Sequence, residues 1–543
     1  MTIVFVVSSL VLFVFDRFSH PALPAYIIAG VLVGNFFPTE EMIVFTQIGL
    51  SFLVFIFGVK IDPERLKTVA RDGTKTAGIE IVVMSLIGLI ISHFIGLNSF
   101  EAFILILTTA LSSTLIGLDL LEKEIDLKLA HGRIAESIHL SQDLVAVFMI
   151  MIIGASQFTL GAISESLLHG FAVLSLALLF RRYAMDHVAA LTENSRELLM
   201  LVSITILIGF LGLTEVLHIS LAIGSFAAGL AVSKYPHNME ILETTGSLKD
   251  FFSAIFFVSL GALLTSPNLE VIGLSMIMIL LTVIAKPFAV ITSLVGLGQN
   301  KRTAYLTAFS IDQVSEFALI IAIQTYLTGL ISDVVFQSVI ITATVSMMIS
   351  SYTTKHGDTM YKILGPLDHI VDFPHRVSEE VSKHDLEDHI IVVGYDTQGK
   401  RLVETLKDEG AEFVVIENNP EKITELQERE ENFVFGDIME EQTWHDTNYK
   451  EASLIVSTVP LVEASQRVLD LDTEADKILR SKEIEEAQRL MDEGALYVQV
   501  PKVLSSEILI EHIEGLMENK LYREDLRRKS MLEIRKYIQE REG

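Results

Sequence analysis

The sequence predicts a polytopic α-helical membrane protein followed by a Rossmann-like α/β domain, and three observations carry that expectation. Half of the 543 residues are hydrophobic and only 20% are charged, a low charge content for a soluble chain. The charge is unevenly placed: residues 1–354 hold 17 Lys and Arg against 26 Asp and Glu, and the rest hold 24 against 43, giving net charges of −9 and −19. Thirteen long apolar runs fall in the first part, whereas short strand and helix patterns alternate in the second. The chain has no cysteine, which excludes disulfides, thiolate metal sites and Cys nucleophiles. A net charge of −28 also argues against nucleic acid as a partner, because phosphate attraction needs a basic face.

An apolar run of about 20 residues spans the hydrocarbon of a bilayer. The candidates are 1–15, 21–37, 42–59, 76–97, 101–121, 134–156, 161–180, 198–214, 217–233, 250–266, 270–297, 303–326 and 332–353. The first lacks a basic region before it and is followed by Arg17, so it reads as a span with its N-terminus outside rather than a cleaved signal. Assigning alternate loops to opposite sides puts sixteen Lys and Arg on one side and none on the other. That asymmetry expects a multi-pass plasma-membrane protein whose C-terminal part is cytoplasmic.

Thirteen spans divide into two groups of six around a linker span, the arrangement of inverted-repeat transporters. The fifth span of each group carries a polar interruption. One holds Ser112-Ser113-Thr114; the other holds Asp312, Gln313, Ser315 and Glu316. Crossed broken helices are the expected result. Ionisable residues inside spans cost roughly 2.5–3.5 kcal/mol at the bilayer centre and are retained for function. Asp143 lies mid-span beside Gln142, Lys286 precedes Pro287, and Glu136, His139 and Asp143 recur at i, i+3 and i+7, one helical face that could line a cavity.

Taken together, Pro24 to Gly34, Gly49 to Gly58, Leu111-Ser112-Ser113-Thr114, Gln142-Asp143-Leu144-Val145-Ala146-Val147 and Ser315-Glu316-Phe317-Ala318 resemble the monovalent cation:proton antiporter-2 family, in its potassium-efflux branch. The resemblance covers nearly all of the membrane part. It implies a homodimer in which spans four to six and eleven to thirteen form a moving core on a dimerising scaffold. It places the ion-binding aspartate at Asp143, the unwound helices at Ser112 to Thr114 and Asp312 to Ser315, and the intramembrane lysine at Lys286. Gln142 stands where charge-moving relatives carry a second acid, which implies electroneutral exchange.

Proton and monovalent cation then compete for one carboxylate, and only the neutralised core crosses the bilayer. Potassium is the first choice of cation and sodium the second. A ligand-gated cation channel is a further alternative, although no Thr-Val-Gly-Tyr-Gly filter occurs. A membrane-anchored dehydrogenase would need a substrate site that the sequence does not offer, so no enzyme activity is expected.

The membrane domain is expected at 1–354, a charged linker at 355–387, a nucleotide-binding domain at 388–502 and a helical charged tail at 503–543. Strands are expected at 389–394, 412–416, 432–435, 453–457 and 495–499, alternating with helices, which implies a doubly wound parallel sheet. The first turn, Gly394-Tyr395-Asp396-Thr397-Gln398-Gly399, and the acid Glu417 with Asn418 follow the layout of a dinucleotide fingerprint. Asp396 replaces its middle glycine and can instead cap the following helix. With Gly436-Asp437, this part resembles the regulator-of-potassium-conductance domain, implying a regulatory adenine nucleotide, and dimer contacts there as well as in the membrane scaffold. The charge of Asp396 favours AMP over NAD. The basic run Arg523 to Lys536 reads as a solvated face.

Overall fold

The computed structural model describes residues 2–531 apart from 19, 37, 61–70, 115–116, 118–129, 154–159, 193–194, 235–236, 365–385, 437, 440, 519–525 and 529–530. The chain divides into two units, Met1–His375 and Arg376–Gly543, a boundary inside the expected linker. The run Arg523 to Lys536 lies largely outside the described residues.

The first unit is helical. Its elements are α1 (Thr2–Arg17), α2 (Ala22–Val33), α3 (Thr39–Lys60), α4 (Arg71–Ile95), α5 (Ser99–Ala110), α6 (Ala130–Ile153), α7 (Leu160–Tyr183), α8 (Met185–Thr192), α9 (Arg196–Val216), α10 (Leu221–Ala231) and α11 (His237–Ala262). They continue with α12 (Leu269–Leu280), a π-turn Leu281–Ala285, α13 (Lys286–Gly296), α14 (Lys301–Phe309), α15 (Glu316–Leu327), α16 (Asp333–Lys355) and α17 (Gly357–Leu364). Among the described residues, seven spanning segments are long and apolar enough to cross a bilayer, and α2, α5, α10 and α15 are shorter apolar helices. Among the described residues the helix of the expected fifth run ends at Ala110 and that of the expected twelfth at Phe309, where their polar residues begin.

Packing repeats between the two halves. In the first half α4 packs on α6; in the second, α12 packs on α16. The scaffold helices pair across the halves, α2 with α11 and α3 with α10. Both cross-pairs depend on glycine. A Cβ at Gly229 would lie 2.1 Å from the Phe55 carbonyl and one at Gly58 2.4 Å from that of Phe226; Gly30 and Gly261 show the same intimacy. Bare backbone allows this approach, which is how membrane helices without a hydrophobic driving force gain contact. Gly30 and Gly58 lie in the two scaffold stretches of the family resemblance, and Gly261 and Gly229 are their partners on the facing helices.

The second unit contains β1 (His389–Val393), α18 (Thr397–Asp408), β2 (Phe413–Glu417), α19 (Pro420–Glu428), β3 (Phe433–Phe435), α20 (Glu441–Asp446), β4 (Ala452–Ser457), α21 (Val462–Leu469), β5 (Asp476–Arg480), α22 (Ile484–Asp492), β6 (Tyr497–Gln499) and α23 (Pro501–Glu518). The strands form one parallel sheet in the order β3-β2-β1-β4-β5-β6. Ile391 and Val393 face one core and Val392 the other, so β1 is apolar from Ile390 to Val393 because both of its faces are covered. The sequence expectation lacks β5. Only Ile478 and Leu479 of that strand are apolar, and charged residues flank them.

Candidate ion-exchange site and nucleotide crevice

Two broken helices cross in the first unit. α5 stops at Ala110 and Leu111 turns extended, while α14 stops at Phe309 and the chain runs without helix until Ser315 caps α15. Each break supplies hydrogen-bond partners to the other. The Ser112 hydroxyl donates to the Ile311 carbonyl (2.9 Å), the Ser315 amide to the Leu111 carbonyl (3.0 Å), and the Gln313 side-chain amide to the Ser113 carbonyl (3.1 Å). Orphaned helix-end groups, costly in a membrane, are thereby satisfied within protein.

Helix α6 lays its polar residues against this crossing. Asp143 is 1% exposed and accepts from the Thr114 hydroxyl at 2.6 Å. Gln142 is held on three sides. Its carbonyl accepts from the Ser112 amide (2.9 Å), and its NH2 donates to the Ala110 carbonyl (3.1 Å) and to the Glu80 carboxylate on α4 (2.7 Å). Lys286, fully buried just after the π-turn, donates to the Gln313 carbonyl at 3.1 Å and lies within electrostatic reach of Glu80 and Asp312. Asp312 accepts from the Thr353 hydroxyl at 2.7 Å, and Ser350 donates to the side-chain amide oxygen of Gln313, Oε1, at 2.8 Å. The expected residues Ser112, Ser113, Thr114, Gln142, Asp143, Lys286, Asp312, Gln313 and Ser315 are thus brought to one place.

Glu316 begins α15 beside them, close enough for its charge to act on Asp143, as does that of Lys60. Glu316, Lys60, Lys249 and Phe57 line a pocket of about 390 Å³, including space open to solvent, between α3, α11 and α15. The helical face shared by Glu136, His139 and Asp143 is not one environment: Glu136 is exposed, whereas His139 is fully buried, with Nε2 so close to Gly117 that a Cβ there would lie 2.4 Å away. The sequence reading missed Glu80. A glutamate between Ile79 and Ile81 in an apolar run was the available signal.

In the second unit the strand order reverses between β1 and β4, where doubly wound sheets hold ligands. Gly394, at φ +90°, makes the turn, and Gly399 lets α18 approach, since a Cβ there would lie 2.0 Å from the Gly394 carbonyl. Asp396 caps α18, with Gln398 N donating to it at 3.4 Å, and both Asp396 and Thr397 are exposed. Tyr395 is buried, and burial raises its phenol above the ordinary value. Glu417 is turned onto its own chain: its carboxylate accepts from the amides of Tyr395, Asn418 and Asn419, each at 2.8 Å. Gly436 is explained by close packing, a Cβ there meeting the Thr443 hydroxyl at 2.4 Å, and Asp437 lies outside the described residues.

The profile of the sodium/hydrogen exchanger transmembrane family matches residues 3–356, and that of the TrkA-N domain matches 390–501. A putative K(+) efflux antiporter, KefB, of Alkalimonas amylolytica is 22% identical over 92% of this chain and 78% of its own length. A putative cation/proton antiporter, YbaL, of Escherichia coli K12 is 25% identical over 91% of this chain and 92% of its own. The sodium proton antiporter MjNhaP1 of Methanocaldococcus jannaschii shares the membrane fold at a TM-score of 0.50, with 15% identity over 66% of this chain and 95% of its own. The crossed broken helices around a buried aspartate thus sit within a match that covers most of the chain, which belongs to the transmembrane sodium/hydrogen exchanger family and carries a TrkA-N domain after the exchanger unit.

Proposed function

We propose that this protein is an electroneutral monovalent cation:proton antiporter, potassium being its cation and an adenine nucleotide its regulator. The observation that carries the reading is Asp143, buried beside the two helix breaks, where its carboxylate accepts from the Thr114 hydroxyl and the breaks bring hydroxyl, amide and carbonyl groups together. Oxygen ligands of this kind replace the water shell of a small cation, and a proton neutralises the same carboxylate. A core carrying neither holds an uncompensated charge against the hydrocarbon and does not cross, so the two ions exchange.

Gln142 supports electroneutrality. An amide there cannot titrate, and its contacts to Ser112, Ala110 and Glu80 make it a brace for the crossing. Lys286 remains as a fixed charge that the carbonyl of Gln313 and the nearby acids offset. Potassium is preferred because two relatives are named as a potassium-efflux and a cation antiporter; sodium, named for MjNhaP1, is the second reading. The protein works as a homodimer through the scaffold and the TrkA-N domain, in the plasma membrane, with the N-terminus outside and the TrkA-N domain cytoplasmic. Proton flux from reconstituted vesicles, driven by potassium or by sodium gradients, tests the exchange and ranks the ions.

A further inference from the structure

The crevice at the end of the parallel sheet is electrostatically lopsided. On its β1–β2 side the backbone donors that would cradle an anion are taken, because Glu417 accepts from the amides of Tyr395, Asn418 and Asn419. Asp396 adds a second carboxylate at the start of α18. A phosphate on that turn would face two negative groups. Glu417 still has one acceptor position free on the oxygen that takes only the Tyr395 amide, which suits a ribose hydroxyl.

Across the crevice the sign reverses. Arg480, the last residue of β5, is half-buried and reaches over the end of β4, where its Nη1 donates to the Thr458 carbonyl at 3.2 Å. Its Nε is buried with no hydrogen-bond partner, and among the described residues it pairs with no carboxylate. This is an unusual state for a guanidinium in a part of the chain, residues 355–543, with a net charge of −19, where acids are abundant. Thr458 itself abuts the turn: a Cβ at Gly394 would lie 2.8 Å from its hydroxyl, and its amide donates to Val393 at 3.0 Å. The guanidinium therefore stands about two inter-strand spacings, roughly 10 Å, from the end of β2.

We propose that Arg480 holds the phosphate of the regulatory nucleotide, at the ends of β4 and β5, while the ribose lies towards Glu417 and the glycine turn carries no phosphate. This rests on the reading of the domain as a nucleotide site. A planar fork with unspent donors is matched to a phosphate group, and it offsets the charge that Asp396 and Glu417 bring to the crevice.

The test is calorimetry on the purified full-length protein in detergent, with AMP and adenosine as probes at fixed ionic strength. The wild type is expected to bind AMP about tenfold or more tighter than adenosine, as a charge-assisted hydrogen-bonded pair requires. Arg480→Gln is expected to abolish that preference while adenosine affinity stays within about twofold. An AMP preference that survives Arg480→Gln overturns the assignment, and so does an equal loss of both affinities, which is the mark of a buttress for β4. Should Arg480→Gln lose its thermal transition, Arg480→Lys decides: it is expected to keep AMP ahead of adenosine, and equal affinities overturn the proposal. A wild type that binds both ligands equally keeps the nucleotide reading and removes the phosphate subsite. A wild type that binds neither removes both.

Discussion

Replacing Lys286 by methionine keeps most of the buried volume and deletes one charge. The structure says what is then left behind: the Gln313 carbonyl loses a donor at 3.1 Å, and Glu80 and Asp312 lose the cation that both of them face. Breaking a buried charge arrangement from one side costs about 3–5 kcal/mol, because the partner charges remain. With an unfolding entropy of about 2.1 cal/mol/K per residue over a unit of 375 residues, each kcal/mol lowers the melting temperature by roughly 1.3 °C. Lys286→Met is therefore expected to melt about 4–6 °C below the wild type when unfolding is followed by fluorescence in detergent. The double variant Lys286→Met, Glu80→Gln is expected to recover part of that loss, since one stranded acid is removed. A single variant that melts with the wild type, or a double variant at or below the additive value, refutes the account of Lys286 as the core's internal counter-charge.

Gln142→Asp introduces a titrating group where an amide now braces the crossing, and exchange clamped at different membrane potentials is expected to change from voltage-independent to voltage-dependent; a voltage-sensitive wild type contradicts the electroneutral reading. Gly229→Leu drives a side chain into backbone that a Cβ alone would approach to 2.1 Å, so the variant is expected to lose the folded, monodisperse species in size-exclusion chromatography, whereas Gly209→Leu, on a glycine with open space, is expected to keep it. In the second unit, Asp396→Gly is expected to tighten NAD binding by removing a charge from the pyrophosphate path, and Glu417→Ala to weaken every ribose-bearing ligand while also freeing three amides. Calorimetry with NAD and AMP separates these effects, and unchanged NAD affinity in Asp396→Gly counts against the charge argument.

The crossing was legible because polar residues in an apolar run have few reasons to be there. Ser112 to Thr114 and Asp312 to Ser315 announce breaks by composition, and Asp143 and Lys286 by charge. Their mutual contacts were not legible, since they join residues as far apart as 200 positions, as between Gln313 and Ser113. Glu80 shows the limit from the other direction. It meets the same compositional test, yet its bond to Gln142 exists only because α4 packs on α6. Glu136 shows the limit of periodicity for burial. Helical periodicity puts it on the face of Asp143, but burial is decided by the neighbouring helices, and that end of α6 is open at Glu136. In the second unit the fingerprint spacing correctly located the end of β2 but not the orientation of Glu417, which the turn at Asn418 and Asn419 settles. Strand β5 escaped notice with its two apolar residues, and with it the position of Arg480 at the crevice.

The central claim is that one carboxylate, Asp143, carries proton and cation in turn. Asp143→Asn is nearly isosteric and can keep a hydrogen bond with Thr114, so it leaves the fold in place while removing the titrating group. The decisive measurement is potassium-driven proton flux in vesicles reconstituted with wild-type or Asp143→Asn protein, both shown to be folded by thermal unfolding. The account predicts flux in the wild type and none above the empty-vesicle background in the variant. Wild-type flux from Asp143→Asn would contradict it.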